Sequence, residues 1–148
     1  MDLELEAINV IKGMVGKDFA SVVELILNSP GRVILTGIGK SAIIAAKIVS
    51  TLNSTGTPSV FMHAADAIHG DLGIIREDDI VVCLSKSGET AEIKVLVPLV
   101  KQRGNVLVAM AGNSESYLAR SADFLLDVTV GQEACPNNLA PTSSTTAQ

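Results

Sequence analysis

Two short segments gather the residues of this chain that could hold an anion. Gly37-Ile38-Gly39-Lys40-Ser41 offers two glycines, a cation and a hydroxyl, and Ser85-Lys86-Ser87-Gly88-Glu89-Thr90 offers three hydroxyls around a glycine. Hydroxyls and backbone amides each donate a hydrogen bond, and glycine lets the backbone approach a ligand closely. Where such a segment opens a helix, unpaired N–H groups and the positive dipole end face the same way, which suits a phosphate. Two nucleotide-binding patterns fail on named residues. Gly37-x-Gly39-x-x-Ala42 fits a loose dinucleotide fingerprint, but Phe61-Met62-His63 supplies no acid at the end of the next strand to hold a ribose. Gly39-Lys40-Ser41 has the form of a P-loop ending, but the glycine that motif requires would fall at Ile34. The two glycines make a tight strand-to-helix turn under any function, which leaves Lys40 and Ser41 unexplained. The second segment keeps two readings on local grounds. It is a phosphate cradle, or an ordinary cap at Ser87 with Glu89 and Glu92 complementing the dipole.

The elements around these segments alternate. Short β-branched runs at Arg32–Gly37, Ser59–His63, Asp79–Ser85, Asn105–Ala111 and Phe124–Val130 predict five strands. Segments at Lys40–Thr55, Ala64–His69, Gly88–Arg103 and Ser114–Ser121 predict the helices between them. Strands separated by helices imply right-handed crossovers and a parallel sheet. Runs such as Ile80-Val81-Val82-Cys83-Leu84 suit strands covered on both faces. The expected fold is therefore α/β, three layers with a five-stranded parallel sheet in the flavodoxin-like order 2-1-3-4-5. Leu3, Leu5, Ile8, Ile11 and Met14, then Phe19, Val22, Val23, Ile26 and Leu27, recur at helical spacing and predict two helices over residues 1–30, ended by Pro30-Gly31. The core spans 31–148, and 148 residues make one domain. Both anion-holding segments fall after strands, at the carboxyl edge of the sheet, where ligands of such sheets bind. The stretch 131–148 turns to Pro, Asn, Ser and Thr, and composition alone reads it as a loop or disordered tail.

Composition removes several classes of function. The net charge is −5 and the isoelectric point about 4.9, with no Lys/Arg cluster, which argues against a nucleic-acid partner. Hydrophobic residues make up 47% and mean hydropathy is +0.40, yet no run reaches the ~18 apolar residues of a membrane span. The excess apolar content beyond a covered sheet points to a buried subunit interface. Cys83 and Cys135 lie far apart without metal-ligand spacing, so neither a disulfide framework nor a metal site is expected. The acidic start Met1-Asp2-Leu3-Glu4 lacks the basic opening of a secretion signal, and the expected compartment is the cytoplasm.

Ser85-Lys86-Ser87-Gly88-Glu89-Thr90 resembles the S-x-S-G-x-T signature of sugar isomerase (SIS) domains. Gly37–Ser41, Ser54-Thr55-Gly56-Thr57-Pro58, His69-Gly70-Asp71-Leu72-Gly73, Glu133-Ala134-Cys135-Pro136 and the run Leu139–Ala147 are similar to one branch, the arabinose-5-phosphate isomerases of Kdo and capsule biosynthesis. The similarity runs from about Arg32 to the end. It implies interconversion of D-ribulose 5-phosphate and D-arabinose 5-phosphate through an enediol, without a cofactor. It also implies a homo-oligomer, a tetramer in the family. By motif position Gly39, Ser41, Ser85, Ser87, Gly88 and Thr90 would bind phosphate. Thr142, Ser143, Ser144 and Thr145 would line the pocket, with Thr142–Thr146 entering the site and opening a further helix. Lys40, His69 and Glu92 match catalytic positions.

Each of these three has a plainer reading beside it. His69 next to Gly70 could be a helix C-cap contact, and Glu92 a solvated first-turn acid. Lys40 is unfavourable for the dipole in a first turn, which favours a functional role. His63, ending the second strand, is unassigned. Ala42 and Lys86 stand where the branch more often has Gly and Asn. Family members also continue past the position of Gln148 to a His-Pro-Gly-Gly segment, whose histidine is considered catalytic, and often to paired CBS domains. The resemblance thus implies a truncated chain or fragment that binds substrate better than it turns it over. A non-catalytic sugar-phosphate sensor, needing only the hydroxyl cradle, is the alternative function.

Overall fold

In the computed structural model, which describes residues 1–148, the five apolar runs become β1 (Val33–Gly37), β2 (Ser59–His63), β3 (Ile80–Ser85), β4 (Val106–Ala111) and β5 (Phe124–Asp127). All neighbours pair in parallel, in the order β2-β1-β3-β4-β5. The helices are α1 (Asp2–Met14), α2 (Lys17–Asn28), α3 (Lys40–Ser54), α4 (Ala64–Ala67), α5 (Ala91–Gln102), α6 (Tyr117–Ser121) and α7 (Ser143–Ala147). β1 and β3 are buried along their whole length because helices cover both faces. Ile34, Val81 and Leu107 pack with Ile93, Leu96 and Leu118 of α5 and α6 on one face. Leu35, Val82 and Leu84 pack with Val22 of α2 and Ala45 of α3 on the other. The expected three-layer order is observed.

That order creates the site. After β1 the chain moves outward to β2 by way of α3, then crosses back over β1 to β3, by way of α4 and a turn of 3-10 helix, Asp71–Ile74, on the opposite face. The loops leaving β1 and β3 therefore part to opposite faces and open a crevice at their carboxyl ends. Register aligns those ends, with Gly37 beside both His63 and Leu84. At the amino ends a partly buried knot around Asp79 holds the same pair of strands. Arg32 donates from its backbone N–H and Nε to Asp79 Oδ1 (2.9 and 3.2 Å), and its Nη2 donates to Oδ2 at 2.6 Å. The Arg76 amide adds a fourth donor at 2.8 Å. Burial raises the Asp79 carboxyl, but these donors and the guanidinium charge outweigh it and leave it below its ordinary value.

Four elements depart from the bounds that periodicity predicts, each for a local reason. Helix α5 starts at Ala91 rather than Gly88, because Gly88 sits at φ +64° inside the preceding turn. The segment Ala64–His69 forms only α4, which ends at Ala67, and the 3-10 turn lies beyond it at Asp71–Ile74, after Gly70 at φ +135°. Strand β5 stops at Asp127, whose Oδ1 accepts from the Thr129 amide (2.9 Å) and hydroxyl, a side-chain turn that competes with the ladder. Helix α6 begins three residues late, capped by Ser116 Oγ, which accepts from the Ala119 amide.

Candidate functional site

The turn after β3 is locked by its own residues. The buried Ser85 Oγ accepts from the Gly88 amide at 3.0 Å, and Ser87 Oγ accepts from the Glu89 amide at 3.2 Å. Gly88 is required twice over. Besides its positive φ, a Cβ there would lie 2.1 Å from Ser116 Oγ. Gly112 donates to the Lys86 carbonyl and Leu118 to the Gly88 carbonyl, both at 3.1 Å, so β4 and α6 brace the turn from behind. Glu89 faces away from the crevice, accepting from the Tyr117 amide (2.6 Å) and pairing with Lys94 (2.7 Å).

The two local readings of this turn separate at Thr90. The N-cap position of α5 belongs to Thr90, not Ser87, and its side chain caps nothing. Thr90 Oγ1 is buried without a hydrogen-bond partner and lines the crevice. The amides of the first turn of α5 likewise have no capping side chain. A buried hydroxyl without a partner, beside a helix start whose amides have no capping side chain, is short of an acceptor, which an anion would supply.

The crevice is a cleft of about 260 Å³, and Lys40, Ser41, Ser85, Ser87, Thr90, Ser144 and Thr145 all line it. Gly39, at φ +60° in open space, turns the chain from β1 into α3 beside it. Lys40, exposed in the first turn of α3, forms none of the chain's ion pairs. Lys86 also lines the cleft.

Four candidate residues stand back from it. Ser143 is buried, with its hydroxyl unpartnered, and Thr142 is the residue just before α7; neither lines the cleft. His69 is exposed in the loop after α4, and Glu92 is half-buried in the first turn of α5; both lie outside the lining. Nor does the unassigned His63 reach the cleft: its Nδ1 stands 3.9 Å from Asp66.

One organising residue is visible in the sequence only as part of a motif. Glu133 is 2% exposed. Its Oε2 accepts from the Thr142 amide (2.7 Å), the Thr142 hydroxyl (3.1 Å) and the Ser144 amide (3.1 Å), and its Oε1 accepts from Lys86 Nζ at 2.5 Å. Thr142 Oγ1 donates there while accepting from the Ala134 amide at 2.8 Å. Burial alone would raise the Glu133 carboxyl, but these donors hold it at about 2. This one carboxylate turns the tail, read from composition as a loop, into the helical second wall of the cleft. The segment 131–148 folds around it and ends in α7, whose Ser144 and Thr145 line the same cleft as the Ser85–Thr90 turn.

Comparison with known proteins gives the family and the fold. The SIS domain family profile matches residues 26–148. The chain is 54% identical over 144 residues to arabinose 5-phosphate isomerase KdsD of Pseudomonas aeruginosa, covering 97% of this chain and 44% of that protein. It is 49% identical over 138 residues to arabinose 5-phosphate isomerase KpsF of Escherichia coli, covering 93% and 42%. The chain thus spans less than half the length of these curated relatives. An Escherichia coli protein solved in complex with arabinose 5-phosphate superposes with a TM-score of 0.91 at 40% identity, covering 99% of this chain and 78% of that one.

Proposed function

The chain belongs to the SIS domain family, and on that premise we propose that it is the substrate-binding and isomerising domain of an arabinose 5-phosphate isomerase. The reaction interconverts D-ribulose 5-phosphate and D-arabinose 5-phosphate and serves Kdo or capsule biosynthesis in the cytoplasm. The observation that carries the reading is the cleft, which Thr90 with its unpartnered hydroxyl, two serines of the same turn and Lys40 all line at the start of α5. Similarity to arabinose 5-phosphate isomerases narrows the sugar.

In this proposal Ser41, Ser85, Ser87 and Thr90 hold the phosphate, with Gly39 and Gly88 giving the backbone room. Ser144 and Thr145 take sugar hydroxyls, while Thr142 and Ser143 support their wall. Moving a proton between two adjacent carbons builds negative charge on the enediol oxygens, and Lys40 is the cation placed to offset it. His69 and Glu92 are assigned the remaining acid–base steps. Because neither lines the cleft of its own chain, they act where a second copy brings them to a neighbouring cleft, in a homo-oligomer of the tetrameric kind. The same observation favours a second reading, a phosphosugar sensor that binds without turnover.

Calorimetry and a coupled isomerase assay separate these. Arabinose 5-phosphate is expected to bind and arabinose to bind poorly, with ribulose 5-phosphate isomerised. Ser87→Ala should weaken phosphosugar binding about tenfold or more, the value of one hydrogen bond to a charged group. Binding without turnover would favour the sensor. Equal affinity for the two sugars would overturn both readings.

A further inference from the structure

The cleft has two walls that come from distant parts of the chain. One is the Ser85–Thr90 turn and the other is the tail segment that presents Ser144 and Thr145. No strand pairing joins them, since the tail leaves the sheet at Asp127. What spans the gap is Lys86 and Glu133. Lys86 stands in the phosphate turn between the two serines, with its carbonyl fixed by Gly112. Its half-exposed side chain crosses to a carboxylate with no exposed surface. The other oxygen of that carboxylate holds three donors of the tail wall.

We propose that Lys86 is a positioning residue that ties the tail wall to the phosphate turn through Glu133 and so sets the width of the cleft for ligand. The inference rests on the phosphosugar reading for the identity of that ligand, though not for the tie itself. A buried carboxylate left with neutral donors alone is poorly compensated, so loss of the ammonium loosens everything that Glu133 organises. Lys86 is then felt in ligand affinity without being a phosphate ligand. Its charge is already matched by Glu133, which leaves Lys40 as the unpaired cation of the cleft.

The test compares Lys86→Met, which keeps bulk without charge, with Lys86→Arg, which keeps both charge and donors. Hydrogen exchange is read at the Thr142 and Ser144 amides, and arabinose 5-phosphate binding by calorimetry. Lys86→Met should speed exchange at those two amides about tenfold, the loss of one charge-assisted hydrogen bond. Amides of β1 and β3 should be unchanged, affinity should fall by a similar factor, and Lys86→Arg should restore both. Tail exchange unchanged in Lys86→Met would overturn the tie, and weaker binding with an unchanged tail would make Lys86 a direct phosphate ligand instead. Protection that depends on Lys86 in a protein with no affinity for arabinose 5-phosphate would uphold the tie while sinking the substrate reading.

Discussion

Gly88 and Gly39 both sit at positive φ beside the cleft, yet they should respond differently to the same substitution. An alanine at Gly39 meets only backbone strain, because nothing lies within 4 Å of its Cβ. An alanine at Gly88 adds a collision with the buried Ser116, 2.1 Å from its hydroxyl. Gly88→Ala should therefore cost about 1–3 kcal/mol more than Gly39→Ala, the usual range for overpacking. Urea unfolding of the two variants measures the difference, and equal losses would mean that Ser116 moves freely. The lining of the candidate cleft is legible in part at this scale, because hydroxyls and glycines at a strand-to-helix turn suit either a cap or an anion, and sequence alone leaves both open. The cap at Ser87 was misplaced by three residues, since only the backbone conformation shows that the helix begins after Thr90. Glu133 carried no signal of its own. One acid in a polar stretch cannot be told from a solvated one until its donors, forty-seven residues back at Lys86 and nine ahead at Thr142, are brought to it.

At the scale of elements, the tail gives the clearest pH dependence. The Glu133 carboxyl is held at about 2 in the folded chain, against an ordinary 4.5. A depressed carboxyl contributes stability that is fully present above pH 4.5 and is lost as pH falls toward 2. The stability gap between wild type and Glu133→Gln should therefore narrow on acidification, by at most about 3 kcal/mol. Chemical unfolding of both proteins from pH 7 to pH 2.5 checks this, and a gap independent of pH would show that Glu133 is not ionised against its donors. Element types were legible in the sequence because parallel strands covered on both faces read as unbroken apolar runs. Element ends were less so. Asp127, Gly88 and Ser116 each end or begin an element through a bond or a backbone angle that periodicity cannot register.

For the molecule as a whole, the surface of α1 and α2 is the feature that the fold does not use. Val22 of α2 packs on the sheet, while Phe19, Val23 and Leu27, one turn apart along the adjoining flank, are exposed. Leu5, Ile8 and Val15 continue the exposed apolar surface on and beyond α1. A surface helix is ordinarily polar on its outer side, and contiguous apolar patches mark interfaces. Light scattering at micromolar concentration should find at least two copies per particle, and Phe19→Glu should shift the population toward monomer without loss of helix content by circular dichroism. A stable wild-type monomer would overturn the assembly, and with it the delivery of His69 and Glu92 to a neighbouring cleft.

Helix α7 rests against α1, a contact between segments that the whole sheet separates along the chain. Closing so long a loop costs more chain entropy than any strand pairing in the sheet, whose widest gap in sequence is the crossover from β1 to β3, and non-local contacts form late. The Ser85–Thr90 turn is complete once β3, β4 and α6 have docked, whereas the opposite wall waits for residues 142–147 to be made. A nascent chain thus acquires half a cleft first, and the capacity to grip a ligand arrives only after the sheet that carries it.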